Sequence, residues 1–335
     1  MSFKQLIPLL CIGFSVMFPL GLHAQPCTGM SISDADVMPI SIVRAYYDND
    51  AFVGTNRFYT QGARLEVITP SFSRLYLSKL LLLRIGRRSR TYYGLSLNHK
   101  AFTPEVFVPD TSVLPEILPG DRPFASTLSV GHFLISNDRG NRLRLTTEFE
   151  VGVLGPWALG RYLTGDFEGT RAWDTQIRPD ILLGYSAQLE KGFVDADGFD
   201  FIAYGRANLN TVYPHIAAGG QIRVGLLNPY FHAVDFMPRS AHGGRDIRNL
   251  QLYLFFKGEA RFIGYDATLQ GGLINRSSPY TLSGSDLNRV IAVTESGLKV
   301  IYKNVGAGFS LFLVTPEFEG AESHSYGQVS LLFAF

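Results

Sequence analysis

The sequence contains little cysteine: only Cys11 and Cys27 occur among 335 residues. Cys11 lies in an N-terminal stretch that we expect to be cleaved off, so the mature chain would keep one thiol and form no internal disulfide. A lipid anchor at Cys27 is not expected either, because Ala24, Gln25 and Pro26 stand where a lipoprotein carries small residues. Disulfide-rich scaffolds and lipoproteins are therefore excluded.

Long apolar runs are also missing after residue 24, where no stretch reaches the roughly 18 residues that a membrane helix requires. Residues 75–85 come closest, but Lys79 and Arg84 interrupt them, which favours a short amphipathic connector. A chain of this kind crosses a membrane only as a closed β-barrel.

Net charge is nearly absent, with 30 Lys and Arg against 29 Asp and Glu. Neither a nucleic-acid-binding surface nor an acidic tail is indicated. Only local clusters of charged residues therefore indicate a candidate site.

The N-terminus has the order of a secretory signal: Lys4, an apolar run over residues 6–22, and the small residue Ala24. The alternative is an N-terminal membrane helix, but Pro8 and Pro19 interrupt the run and no stop-transfer charges follow. We expect a signal peptide over 1–24 and one domain over 25–335.

Alternating apolar and polar residues predict membrane strands. Between residues 142 and 153 one face is apolar, whereas the other carries Arg142, Arg144, Glu148 and Glu150. Over 59–68, Tyr59 falls on the apolar row and Arg64 and Glu66 on the polar row. The pattern predicts an all-β protein, a transmembrane antiparallel β-barrel of twelve strands, near 39–49, 57–69, 90–103, 123–136, 141–154, 176–192, 199–212, 217–227, 249–264, 289–303, 306–318 and 325–335.

Connection lengths support this topology. Short turns at 138–141, 195–198 and 304–306 contain residues that tolerate positive φ, whereas 104–122, 155–175 and 265–288 are long. Short turns would face the periplasm and long loops the outside, although 70–89 and 228–248 are long inner connections. A secreted β-sandwich is the alternative.

One polar cluster is expected at the outer end of the first two strands. Asp48, Asn49 and Asp50 there face residues 59–62, which include Thr60. Asp and Asn favour loop starts, so turn chemistry is one interpretation. The other is a hard-cation site, because Ca²⁺ prefers carboxylate and carbonyl oxygens and would polarise an ester carbonyl.

Two further groups lie at predicted outer ends. Lys100 and Arg122 flank a proline-rich loop, where they would bind lipid phosphates or remain solvated. Loop 155–175 carries both tryptophans, Trp157 and Trp173, which we expect at lipid level.

These residues resemble the outer-membrane lipid A 3'-O-deacylases. The first hairpin, Asp-Asn-Asp-Ala-Phe at 48–52 followed by Arg-Phe-Tyr-Thr-Gln-Gly at 57–62, is the most specific match. Further matches follow in the same order at 102–104, 120–125, 152–156, 173–176, 268–271 and 317–318. The resemblance spans the mature chain.

The resemblance implies a twelve-stranded barrel in the outer membrane of a Gram-negative bacterium that removes the 3'-linked acyl group of lipid A, with Ca²⁺ as cofactor. It places Asn49, Asp50 and Thr60 at active-site positions and Asp50 and Glu168 at the metal. Lys100 and Arg122, as cations of the predicted outer rim, would bind the phosphates of this substrate. Lipopolysaccharide is the implied partner, and a monomer is expected.

The sequence departs from this family in one respect. The family's catalytic histidine lies between the Gly-Pro pair and the tryptophan, but residues 157–172 contain no histidine, and Arg161 or Tyr162 falls nearest. Neither side chain is an ordinary base at neutral pH. Two alternatives therefore stay open: an inactive family barrel with a lipid-binding or structural role, and a diffusion pore.

Overall fold

The computed structural model describes residues 37–54, 57–86, 89–105, 120–164, 172–236 and 248–335. Its strands are β1 Ile42–Asn49, β2 Phe58–Ile68, β3 Arg90–Thr103, β4 Ala125–Asp138, β5 Leu143–Leu154, β6 Asp180–Ala196, β7 Phe199–Asn210, β8 His215–Leu226, β9 Leu250–Ile263, β10 Val290–Tyr302, β11 Val305–Val314 and β12 His324–Ala334. The helices are α1 Tyr76–Leu81, α2 Gly160–Leu163 and α3 Ala267–Gln270. Short 3₁₀ turns span Asp50–Val53, Pro70–Arg74, Pro156–Ala158, Ala172–Thr175 and Tyr230–His232.

Each strand pairs antiparallel with its neighbour in sequence, and β1 pairs with β12 to close the barrel. The closing seam runs from Ile42 opposite Ala334 to Asn49 opposite Gly327. Closure satisfies every strand edge, as a barrel in lipid requires. The predicted class and the twelve strands are confirmed.

The two ends of the barrel differ as expected. Tight turns at 139–142, 197–198 and 303–304 lie at one end, which we call the inner end, and the long loops after β3, β5 and β9 lie at the other. The predicted signal peptide lies outside the described residues. No helix in the described part of the chain is long and apolar enough to cross a membrane.

The two barrel faces follow the alternation of the strands. Arg64 bridges Glu66 (2.6 Å) and Glu148 (3.2 Å) inside the lumen, while Leu65 and Val151 point outward and are exposed. One assignment is wrong: Tyr59 lies in the lumen, where its hydroxyl donates to Asp48 at 2.7 Å. The reason is a β-bulge between Tyr59 and Gln61, which shifts the register by one residue.

Residues 228–236, the inner plug, fold into the lumen from the inner end. Asp235 accepts hydrogen bonds from Arg44 (3.1 Å) and Lys299 (2.9 Å). Tyr230 donates to Glu190 at 2.9 Å and stacks under Arg144, whose guanidinium lies 4.0 Å from the ring centroid. A cavity of about 790 Å³ remains in the lumen.

Helix α1 packs against the outer wall near the inner end. Its Ser78 bonds Nε2 of His132 at 2.7 Å, and the other ring nitrogen of His132 bonds the carbonyl of Gly94 at 2.9 Å. Both nitrogens of this buried histidine are therefore satisfied, and Tyr76 and Leu80 of the helix are exposed. The connector expected at 75–85 is confirmed as a short helix.

A candidate active site on the outward face of the wall

The candidate site is built on the outer ends of β1 to β4, on the face that points away from the lumen. Asn49 lies opposite Gln61, Gln61 opposite Ala101, and Ala101 opposite Ser126. One row further inward, Tyr47, Ala63, His99 and Leu128 lie opposite one another in the same way. Because residues directly opposite share a face, these side chains form one continuous outward patch.

Asn49 and Asp50 form the turn that leaves this patch. The Asn49 side-chain oxygen accepts from the backbone N–H of Ala51 (2.7 Å), and its amide donates to the Tyr47 hydroxyl (3.1 Å). The Asp50 carboxylate is buried and accepts from the N–H of Arg57 at 3.1 Å. Turn chemistry is therefore present, and it holds both groups at the rim.

Arg57 anchors the other side of the same hairpin. It is ion-paired with Glu105 and with Glu322, the latter at 2.9 Å. Burial lowers the pKa of this guanidinium, but the hydrogen bonds that it donates to Glu105 and Glu322 outweigh the effect of burial and raise the pKa overall. The cation thus stays charged and ties three outer connections together.

Thr60 is the additional residue of the bulge in β2. Its hydroxyl lies 2.7 Å from that of Thr103, and both side chains are buried. The two hydroxyl groups share one hydrogen bond. The Thr60 hydroxyl therefore keeps the capacity to form a further hydrogen bond with a ligand.

Residues 155–164, the covering segment, lie over this patch. Gly155 donates to the carbonyl of Ser126 at 2.8 Å, and the Gln61 amide donates to the carbonyl of Leu163 at 2.7 Å. Any side chain at position 160 would overlap Ser126 and Trp173, so Gly160 permits this close approach. The segment also holds Leu159 at φ 63°, a rare conformation for a bulky residue and one that often marks a functional site.

His99 lies between the wall and the covering segment. It is buried, and its imidazole lies against the backbone of Ala158. Its Nε2 has no hydrogen-bond partner among the described residues. The sequence signals the outward position of His99 and Gln61 only through the alternation along β3 and β2.

The outer surface of the covering segment is apolar. Trp157, Leu159, Tyr162 and Leu163 are all exposed, with Tyr162 exposed by 77%. Trp157 therefore agrees with the expected position at lipid level. Trp173 does not: it is buried against Phe124, with ring centroids 5.0 Å apart.

The two predicted phosphate-binding cations lie apart from this patch. Lys100 faces the lumen, near Asp48 and Glu150. Arg122 is fully buried beneath the outer loops, where it pairs with Glu317 (3.1 Å) and donates to Thr268 (3.1 Å). Phosphate binding by either residue remains a prediction that would require access to these positions.

Asp266 completes the cluster around Arg122. It caps α3 by accepting from the backbone N–H (2.8 Å) and the hydroxyl (2.6 Å) of Thr268. Burial, with a contribution from the Glu317 charge, raises the pKa of Asp266 to about 6.

The expected calcium ligands are only partly described. Glu168 lies outside the described residues, and within the described part of the chain no three His, Cys, Asp or Glu side chains converge. Asp50 contributes one carboxylate, fewer than the roughly six to eight oxygens that Ca²⁺ takes. A calcium site at Asp50 therefore requires further oxygen donors from outside the described residues, such as Glu168.

Comparison with known proteins places this architecture. LpxR from Salmonella typhimurium superposes with a TM-score of 0.65 at 20% identity, covering 88% of this chain and 99% of that one. The KdgM porin matches with a TM-score of 0.37 at 9% identity, covering 88% and 99%. A search of curated proteins gave no match. The model of the family described as outer membrane protein LpxR matches residues 9–335, and the chain belongs to that family.

Proposed function

We propose that this outer-membrane protein is an esterase that hydrolyses the 3'-linked acyl group of lipid A. The observation that carries the proposal is the position of the polar patch: it faces the membrane side of the wall, under a segment whose outer surface is apolar. A lipid in the outer leaflet would reach Asn49, Thr60 and Gln61 by lateral movement, without entering the lumen. Membership of the LpxR family supports a substrate of the lipid A class.

Within this proposal the rim residues have separate roles. Asn49 and Gln61 present amide groups, which donate hydrogen bonds to the oxyanion that forms as water attacks an ester. Thr60, with the free capacity of its shared hydroxyl pair, orients the ester or the water. Asp50 fixes the turn that carries Asn49.

We further propose that Ca²⁺ binds near Asp50, with Glu168 as a second ligand. A bound cation would polarise the ester carbonyl. Isothermal titration of the detergent-solubilised protein with Ca²⁺ tests this directly. Binding that disappears in Asp50→Asn would support it, and no heat of binding in the intact protein would refute it.

The main experiment is mass spectrometry of lipid A from cells that express the protein, compared with Asp50→Ala and Thr60→Val. Loss of the 3'-linked acyl group only with the intact protein is the expected result. Asp197→Ala at an exposed inner turn is the matched control and should behave as the intact protein. Unchanged lipid A with the intact, folded barrel would favour an inactive lipid-binding family member.

A further inference from the structure

His99 lies next to the covering segment, which contains no histidine that could act as a general base. Water-dependent ester hydrolysis requires a group that accepts a proton, and histidine does so most often. Residues 157–172 contain no histidine. The base must therefore come from another element, if the chemistry is of this type.

Geometry separates the histidines of the described chain. His215 and His324 lie on the lumen-facing phase of β8 and β12. His132 has a partner at each ring nitrogen, and His232 lies on the inner plug, where Arg139 bonds its Nδ1 at 3.3 Å. His99 also borders the luminal cavity, but it lies in β3 between the lumen-facing Asn98 and Lys100, so alternation puts its side chain on the outward face, in the row next to Gln61 and under the covering segment. Of these five described histidines, it alone has a buried, unpartnered nitrogen on the same face as the outward patch.

The His99 ring lies against the backbone of Ala158, whereas its Nε2 has no hydrogen-bond partner among the described residues. In the tautomer that carries its proton on Nδ1, the lone pair of the neutral imidazole resides on Nε2. A base held by one nitrogen and free at the other is the arrangement that nucleophile activation needs.

Distances along the sheet are compatible with a shared substrate. His99 lies one strand and two residues from Gln61, roughly 8 Å between Cα atoms at usual strand spacings. An ester carbonyl between the two side chains would be within reach of both. Because Nε2 is buried, the covering segment must shift for the ester and a water molecule to enter.

We infer that His99 is the general base of this protein, a role that rests on the proposed esterase function. Nε2 takes a proton from water while the water oxygen bonds to the ester carbonyl carbon. The tetrahedral intermediate then collapses, the bond from that carbon to the sugar oxygen breaks, and the imidazolium returns its proton to the departing oxygen. The products are a free fatty acid and a sugar hydroxyl.

His99→Asn is the sharpest test, because the asparagine amide retains a donor near the position of Nδ1 but has no base. Purified barrels in detergent micelles containing lipid A are assayed for fatty acid release, and folding is checked by heat-modifiable migration. We expect a loss of about 10² to 10⁴-fold. Added imidazole should restore part of the activity in His99→Gly, and His132→Gln, the matched buried histidine, should retain full activity.

The outcomes separate the two proposals. Full activity in folded His99→Asn, with the intact protein active, would overturn the role of His99 and leave the esterase standing. No fatty acid release by the intact protein would overturn both. If His99→Asn fails to fold, imidazole rescue of His99→Gly decides the question, and absence of rescue counts against a base.

Discussion

The side-chain amide of Gln61 donates to the carbonyl of Leu163 at 2.7 Å, joining the barrel wall to the segment that covers it. This contact links β2 to α2 across 102 residues of sequence.

We expect Gln61→Glu to loosen the covering segment, because a carboxylate cannot donate to the Leu163 carbonyl. Backbone amides of residues 155–164 should exchange hydrogen faster, and acyl hydrolysis should fall. Hydrogen exchange with mass spectrometry measures the first effect. Gln188→Glu in the lumen is the control, and unchanged exchange in Gln61→Glu would show that other contacts hold the segment.

Removing the buried cation beneath the outer loops should destabilise the barrel strongly. Arg122→Met leaves the Glu317 carboxylate without its partner, and we expect a loss of about 3–5 kcal/mol in the free energy of unfolding. The double variant Arg122→Met, Glu317→Gln should recover most of it. Guanidinium denaturation in detergent, followed by tryptophan fluorescence, measures both.

The exposed pair of Arg248 and Asp197 is the control for that experiment. Their side chains are 40% and 84% exposed, so Arg248→Met should cost under about 1 kcal/mol. If Arg122→Met and Arg248→Met lowered the free energy of unfolding equally, burial of the ion pair would not be the cause of the loss.

The inner plug predicts that the barrel does not conduct ions at the level of a pore. Asp235 pairs with Arg44 and Lys299 inside the lumen. Asp235→Ala would leave Lys299 without this carboxylate and reduce Arg44 to its ion pair with Glu66, so residues 228–236 should lose their anchor in the lumen. We expect the intact protein to be closed in planar bilayers and the variant to show current steps. Porin-like conductance of the intact protein would contradict this.

Stability should depend on pH through Asp266. Its pKa of about 6 in the folded protein lies above its ordinary value of 3.8, so the folded state binds this proton more tightly than the unfolded state. The free energy of unfolding should therefore fall as the pH rises from about 4 to 6 and stay level above that.

Asp266→Asn tests this, since the asparagine oxygen still caps α3. The variant should match the intact protein at pH 4 and exceed it at pH 7.5 by up to about 3 kcal/mol. Denaturation curves at the two values of pH make the comparison. An identical fall in the variant would assign the pH dependence to another group.

The sequence by itself determined the barrel, because the physical constraint is local. Lipid on one side and water on the other impose alternation on each strand, and the turn residues at 139–142 and 197–198 fix where strands end. The short motif around Asn49 and Asp50 likewise placed the candidate site at the outer end of the first hairpin.

Tertiary structure alone decided which face each rim side chain presents and what covers it. The bulge at Thr60 turns the side chain of Tyr59 from the outward face to the lumen. Counting alternate residues along the sequence does not reveal that β2 contains one additional residue at this point. Arg122 forms a buried ion pair with Glu317, and His99 lies under Ala158. Both contacts join residues that are far apart in the sequence. Such pairings depend on how the long outer loops fold back onto the wall, which no local pattern specifies.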